Sequence, residues 1–335
     1  MAGLPPRRVE PDMSVIEPFV DAFGTAQQWL FEQVVQPAMY TLGMANLLED
    51  AFEATGWLLA GLLQILVMVT LLRALERWRP VEPVTDRAAV RVDMLYTFIH
   101  RLGLFRVALF FTLQPLWDAS IGWLRLHGLP TFQLDNLWPG VTDVAWVSFV
   151  LYLLLFDLVG YALHRAQHQF DWWWQLHALH HSQRQMTLWS DNRNHLLDDV
   201  IHDSVFVLVG LAVGIPPGQF VAVVLIMQLV ESLSHANVRL DFGRIGDRLL
   251  VSPRFHRVHH AIGIGHESHG AGTLGGHNFA VLFPVWDLLF RTAAYDRPIE
   301  PTGIRDQLPE QGGRDYGRGF WSQQWRGLQR LAGRH

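Results

Sequence analysis

Of the 17 histidines in this 335-residue chain, 14 fall between His164 and His277, about a third of its length. Their spacing brings rings together. His164 and His168 stand at i and i+4. His177, His180 and His181 stand at i, i+3 and i+4, and His256, His259 and His260 repeat that pattern. Glu231 precedes His235 by four residues, and His277 stands in Gly275-Gly276-His277-Asn278-Phe279. Side chains at these spacings share one face of a helix, so each group can offer two or three imidazoles in one direction. Neutral imidazole suits iron, zinc, copper and nickel. One such ion takes three or four imidazoles, so nine or ten candidates are too many for one ion and suit two. Three rings on one face, buried without partners, would be costly as packing alone. Spacing therefore predicts a two-metal centre and leaves the metal open.

The remaining histidines carry weaker signals. His100, His127 and His335 read as polar groups at membrane ends. His195, His202, His266 and His269 read as outer supports, substrate-path groups or surface groups. Asp157, seven residues before His164, is expected either to accept a ligand's second N–H or to line a polar cleft.

These groups must be held by membrane helices. Half the residues are hydrophobic and 17% are charged, against roughly 25% in soluble domains. The 14 tryptophans suit a bilayer interface. The chain has no cysteine, which excludes disulfides, iron–sulfur clusters and thiolate zinc sites, and no lysine, read as a composition bias. A net charge of −5 speaks against nucleic-acid binding. The first 20 residues lack the apolar core of a signal peptide. Residues 1–24 are read as flexible and 25–53 as an interfacial helix. Spans are expected at about 57–78, 94–117 and 143–163. Residues 197–237 break at Gly214-Ile215-Pro216-Pro217-Gly218 and read as a helical hairpin that crosses and returns. Arginines cluster after the first span, after the third and in the tail, placing the histidine segments on the cytoplasmic side. The expected fold is all-α: a polytopic membrane helical bundle of about five crossings with a cytoplasmic helical cap holding a dimetal site. Its parts are 1–56, a membrane domain over 57–300 and a tail over 301–335.

The ordered motifs resemble those of the sterol desaturase / fatty acid hydroxylase superfamily: Asp157-x-x-Gly160-Tyr161-x-x-His164-Arg165-x-x-His168, Trp174-x-x-His177-x-x-His180-His181-Ser182, His235-Ala236-Asn237, Pro253-x-x-His256-x-x-His259-His260, His277-Asn278-Phe279 and Trp286-Asp287-x-x-Phe290-x-Thr292. The likeness runs from about residue 57 to 304. It implies a membrane di-iron enzyme that uses O2 and an external electron donor to hydroxylate, desaturate or oxidatively cleave a lipid: a sterol, fatty acyl chain or ether lipid. It makes His164, His168, His177, His180, His181, His235, His256, His259, His260 and His277 the metal ligands, with Asp157, His195, Glu231 and Asn278 as outer supports. Two iron ions are the expected cofactor, with zinc as a substitute on purification. No cytochrome, flavin or ferredoxin segment is present, so electrons would come from a separate cytochrome b5-, ferredoxin- or flavoprotein-type carrier. The expected location is a bacterial inner membrane.

Three features depart from the family pattern. Glu231 stands where relatives often place a further ligand, and Asn278-Phe279-Ala280 where they often have Asn-Tyr-Gly. The glycine-rich Gly263–Gly276 stretch, with His266, Glu267 and His269, reads as an enlarged loop, a lid or a donor-docking surface. Two other classes fit the ligands alone. One is a membrane zinc hydrolase with Glu231 or Glu267 as base. The other is a non-catalytic metal-binding or transport protein, which clustering on one face disfavours.

Overall fold

The computed structural model describes residues 17–130, 132–262, 276–296 and 298–334. The Gly263–Gly276 loop expectation, with His266, Glu267 and His269, lies outside the described residues apart from Gly276. The described residues are helical with no strand; one isolated bridge pairs Ala261 with Thr302.

The described residues divide into two compact units, one up to Leu62 and one from Leu63 onward. In the first, α1 (Glu17–Leu30) continues through a π-turn to Thr41, and Gln27 donates to the Phe52 carbonyl at 2.9 Å. Gly43, at φ +71°, stops the helix in a left-handed conformation that glycine tolerates best. A new helix, α2, then runs from Ala45 to Trp78. The single interfacial helix expected over 25–53 is therefore two helices, and the first span starts earlier than 57.

Next come α3 (Arg87–Arg101), α4 (Leu104–Thr112) and α5 (Gln114–Leu126). The continuous span expected over 94–117 is instead bent by 51° between α3 and α4. Gly103 at φ +79° makes the bend, and Pro115 begins α5. The third expected span is α6 (Ala145–Gln169), which also carries His164 and His168. Phe170 adopts an extended conformation, and α7 (Asp171–His181) starts immediately after it.

Residues 196–235 form two helices, α8 (Leu196–Val213) and α9 (Pro217–His235), broken where the prolines and glycines predict. Gly214 ends α8 at φ +66°; a Cβ there would lie 2.6 Å from the Phe132 carbonyl. At 1.5 Å per residue each helix is roughly 27–28 Å long, enough for a bilayer core. The short helices α10 (Gly243–Leu249), α11 (Pro253–His259) and α12 (Val285–Leu289) follow. Ser252 caps α11 by accepting from Phe255 N–H at 3.2 Å.

Among the described residues three helices, α2, α6 and α9, are long and apolar enough to cross a membrane, or four spans if the bent pair α3–α4 counts as one. The chain is an integral membrane protein of all-α build. Its main apolar core joins Tyr152, Phe156 and Leu163 of α6 to Phe206 of α8 and to Val223 and Met227 of α9. Beyond residue 300 the chain folds back on α7. Ile304 and Tyr316 pack on Trp174 and Ala178, and Phe320, opening α13 (Phe320–Leu331), packs on Tyr96 and Leu179.

Candidate metal centre

Four helix ends meet at one place and deliver two sets of four imidazoles. His164 and His168 come from the last turns of α6, His181 from the end of α7 and His259 from the end of α11. One nitrogen from each lies within 4.8 Å of the others. The second set is His180 from α7, His235 at the end of α9, and His256 and His260 in and just after α11, gathered within the same distance. All eight are buried except His164, which is partly so by whole-residue exposure, though its Nε2 is buried. In the second set the Nε2 atoms stand 3.1 Å apart for His180–His235, 3.0 Å for His235–His256 and 3.2 Å for His256–His260. Neighbouring nitrogens on one ion with bonds of about 2.1 Å lie about 3.0–3.4 Å apart, so these separations suit a shared metal.

The outer nitrogens show how the rings are aimed. His164 Nδ1 meets the Phe279 carbonyl at 2.9 Å, His259 Nδ1 the His277 carbonyl at 2.7 Å and His235 Nδ1 the Glu231 carbonyl at 2.8 Å. Such bonds fix the tautomer and leave Nε2 free to ligate. The Nε2 atoms of His164, His181 and His259 are buried with no hydrogen-bond partner among the described residues. Orphaned nitrogens of this kind are costly unless something binds them, and the donor set fits a transition metal.

His177 belongs to neither set of four but sits against both. Its ring centroid is 5.3 Å from His164, 5.1 Å from His168, 5.2 Å from His180 and 5.1 Å from His181. Its Nδ1 is 3.1 Å from Asp198 Oδ2, and its Nε2 is buried without a partner among the described residues. Burial pushes His180, His181, His256 and His260 well below the usual imidazole range, the neighbouring rings adding to the effect, and holds His259 at about 3. The rings outside the spans are therefore neutral near pH 7, as ligands must be.

Two loops support the rings. Asp157 accepts from the backbone N–H of Leu282 and Phe283 at 2.8 and 3.0 Å and from the Trp286 indole at 2.8 Å. It therefore holds the loop whose Phe279 carbonyl orients His164, and none of these three partners is a histidine. A buried carboxylate is stable only with several such donors. Asp287 holds the same loop through Phe279 and Ala280 N–H, at 2.9 and 2.8 Å. Asn278, at φ +60°, ties it to Phe255 and Ala294. The segment after α7 is held by Asp93, which accepts from Arg193 at 2.7 Å and Ser190 at 3.1 Å and from Gln183. Glu76 of α2 accepts from Leu188 N–H at 2.8 Å and Asn237 N–H at 2.9 Å.

Several expected site residues fall elsewhere. His277 is in neither set; its carbonyl serves His259. Glu231 orients His235 through its backbone carbonyl. His195 caps α8 and meets the Gln324 carbonyl at 2.9 Å, so it joins α8 to the last helix. His202 pairs with Asp203 at 3.3 Å, and His100 with Asp199 at 3.3 Å. Asp198 escaped sequence reasoning. It accepts from Gln167 at 2.8 Å and from the Trp173 indole at 2.6 Å as well as meeting His177. Its only signal was an acidic pair in the first turn of a helix, which helix dipoles explain equally well.

Two buried all-histidine pockets at the ends of apolar helices, each able to hold a metal ion, are what a membrane metalloprotein with a histidine-built centre requires. Residues 149–292 match the fatty acid hydroxylase family model, within the stretch where the motif order resembles that superfamily. It is 25% identical over 236 residues to an ornithine lipid hydroxylase of Rhizobium tropici, covering 70% of this chain and 66% of that protein. It is 26% identical over 162 residues to an alkylglycerol monooxygenase of Caenorhabditis elegans and 28% over 152 residues to one of Danio rerio. Those matches cover 48% and 45% of this chain but only 29% and 31% of the relatives. The chain thus spans just under two thirds of the first relative and under a third of the others. No solved structure matches the chain significantly.

Proposed function

We propose that the chain is a membrane lipid oxygenase with two iron ions, one in each set of four histidines and with His177 beside the first. The observation that carries the reading is the convergence of eight histidines into two pockets inside the stretch that matches the fatty acid hydroxylase family model. Bound iron would supply O2 activation and removal of hydrogen from an unreactive C–H bond. For hydroxylation the balance is R–H plus O2, two electrons and two protons giving R–OH and water. The electrons come from a separate carrier protein.

The chain's own residues do the rest. The carbonyls of Glu231, His277 and Phe279 and the Asp198 carboxylate hold the rings in register. Phe279, with ring centroids 5.2–5.8 Å from His164, His168 and His259, walls one side against water. The apolar core of α6, α8 and α9 leads to the pockets from the bilayer and suits a long-chain lipid. The relatives are named for a lipid headgroup and an alkyl ether, so lipid chemistry is what they share by name. The α8–α9 pair is read as a hairpin that leaves the metal side at Asp198 and returns at His235, with that side cytoplasmic.

The test is lipid mass spectrometry of cells expressing the chain or its His180→Ala variant, with and without air. A lipid gaining oxygen or losing two hydrogens only with the parent chain in air supports the reading. An unchanged lipid profile, or a product formed equally without O2, would overturn it.

A further inference from the structure

The last helix, α13, has three distinct faces. Phe320, Gln323, Gln324, Gly327 and Arg330 are buried against the protein. Trp321, Trp325 and Leu328, at i, i+4 and i+7, are 77%, 59% and 41% exposed. Ser322 and Arg326 form a third, polar and exposed, face. A soluble surface helix does the reverse, burying its apolar stripe and exposing polar groups. Here the docked face carries Gln323, Gln324 and Arg330 alongside Phe320 and Gly327. Gln324 donates to the Tyr96 hydroxyl at 2.9 Å and the Asn194 carbonyl at 3.1 Å, and accepts from Leu196 N–H at 2.8 Å. Arg330 donates to the Gln175 carbonyl at 3.0 Å. The indole face is therefore left over after the helix has packed.

Its neighbours fix its level. Asn194 and Leu196 lie at the start of α8, and Gln175 lies six residues after Gln169, the last residue of α6. So α13 lies where the apolar helices end, which is where a bilayer's headgroup region begins. Between Tyr316 and Arg334 the sequence has four arginines and no acidic residue; Arg318 and Arg334 are exposed, Arg326 reaches Asp315 at 3.5 Å and Arg330 is buried. Indoles on one flank with arginines around them are the composition of a helix lying in the membrane interface, and the arginines favour anionic headgroups.

We infer that α13 is an interfacial helix that docks on the anionic lipid surface of the leaflet next to the metal centre. Trp321, Trp325 and Leu328 sit among the lipids, and Arg326 faces the water–headgroup boundary. This holds whichever metal and reaction the centre serves. A docking face for an acidic carrier protein would instead present unpaired arginines, whereas the exposed arginine of α13, Arg326, reaches Asp315 and the free flank is made of indoles.

The natural chain has no cysteine, so Trp321→Cys, Trp325→Cys and Arg326→Cys each give one site for a spin label in the full-length protein. The labelled proteins are reconstituted into phosphatidylcholine vesicles with and without phosphatidylglycerol. Accessibility to dissolved oxygen is compared with that to a water-soluble nickel chelate. The expected result is an oxygen-to-nickel ratio several-fold higher at 321 and 325 than at 326, with the contrast larger when phosphatidylglycerol is present. Helix content and metal content equal to the parent's check that each variant is folded. Nickel access at 321 and 325 equal to that at 326 overturns the inference. So does shielding from both reagents, which would mark a protein partner or a second copy on this face, and so does a contrast indifferent to phosphatidylglycerol.

Discussion

The Nδ1 of His177 lies 3.1 Å from Oδ2 of Asp198, whereas His164, His235 and His259 turn their Nδ1 atoms to backbone carbonyls. A carboxylate makes an imidazole a stronger donor to a metal than a carbonyl does. Asp198→Asn keeps the shape and an acceptor for Trp173 and Gln167. It can, however, present an amide N–H to His177 and so drive the proton onto Nε2, the nitrogen needed for ligation. The expected loss is about 10–100-fold in metal affinity, with helix content unchanged, read by metal titration and circular dichroism.

Neighbours in sequence serve different pockets. His180 belongs to one set of four and its neighbour His181 to the other, and likewise His260 and His259. Under the two-ion reading, His180→Ala and His181→Ala should each lower bound metal from two ions to about one per chain, and the double variant should lose both. His277→Ala should keep both, since it stands in neither set of four and the carbonyl that meets His259 belongs to its backbone, which the variant retains. Elemental analysis of purified variants decides. A single-ion loss with His277→Ala, or complete loss with either single variant, contradicts this division.

Acid should destabilise the metal-free protein. The folded pKa of His259 is about 3, far below its ordinary 6.5, and burial lowers His180, His181, His256 and His260 in the same direction. Between pH 6.5 and 3 the unfolded chain takes up protons that the folded chain refuses, so stability falls as pH drops through that window and levels off above it. Each ring contributes up to about 1.4 kcal/mol per pH unit. Thermal unfolding of chelator-treated protein in detergent, from pH 7.5 to 5, should show a falling midpoint; a flat profile would count against neutral buried rings.

Gly327 is where α13 meets His195. A Cβ there would lie 2.2 Å from the His195 ring carbon Cδ2. Gly327→Ala should therefore cost roughly 1–3 kcal/mol as overpacking, seen as a lower unfolding midpoint, and combining it with His195→Ala should recover part of the loss.

The histidine groups were legible because i, i+3, i+4 spacing survives any packing of the helix that bears it. The assignment of His180 and His181 to separate pockets was not. It depends on where α9 and α11 come to rest, which the local sequence does not encode. Asp157 shows the same limit. Its position on the face of His164 was readable, but its partners, Leu282, Phe283 and Trp286, lie some 125 residues away. The bend at Gly103 was hidden because a lone glycine inside an apolar run is often tolerated. The docking of the tail was hidden because α13 binds through Gln323, Gln324 and Arg330, residues that composition assigns to water.

Helix α11 and the residue after it supply three of the eight rings: His259 to one set, His256 and His260 to the other. They are also the last of the eight to be synthesised. A ribosome that has made everything through His235 has produced three ligands of the first set and two of the second. Neither pocket then has its full complement, and the two become complete within the same few residues. Completion of both sets is thereby tied to the synthesis of α11: a chain truncated before Ser252 would reach the bilayer with its long apolar helices made and with neither set of four complete.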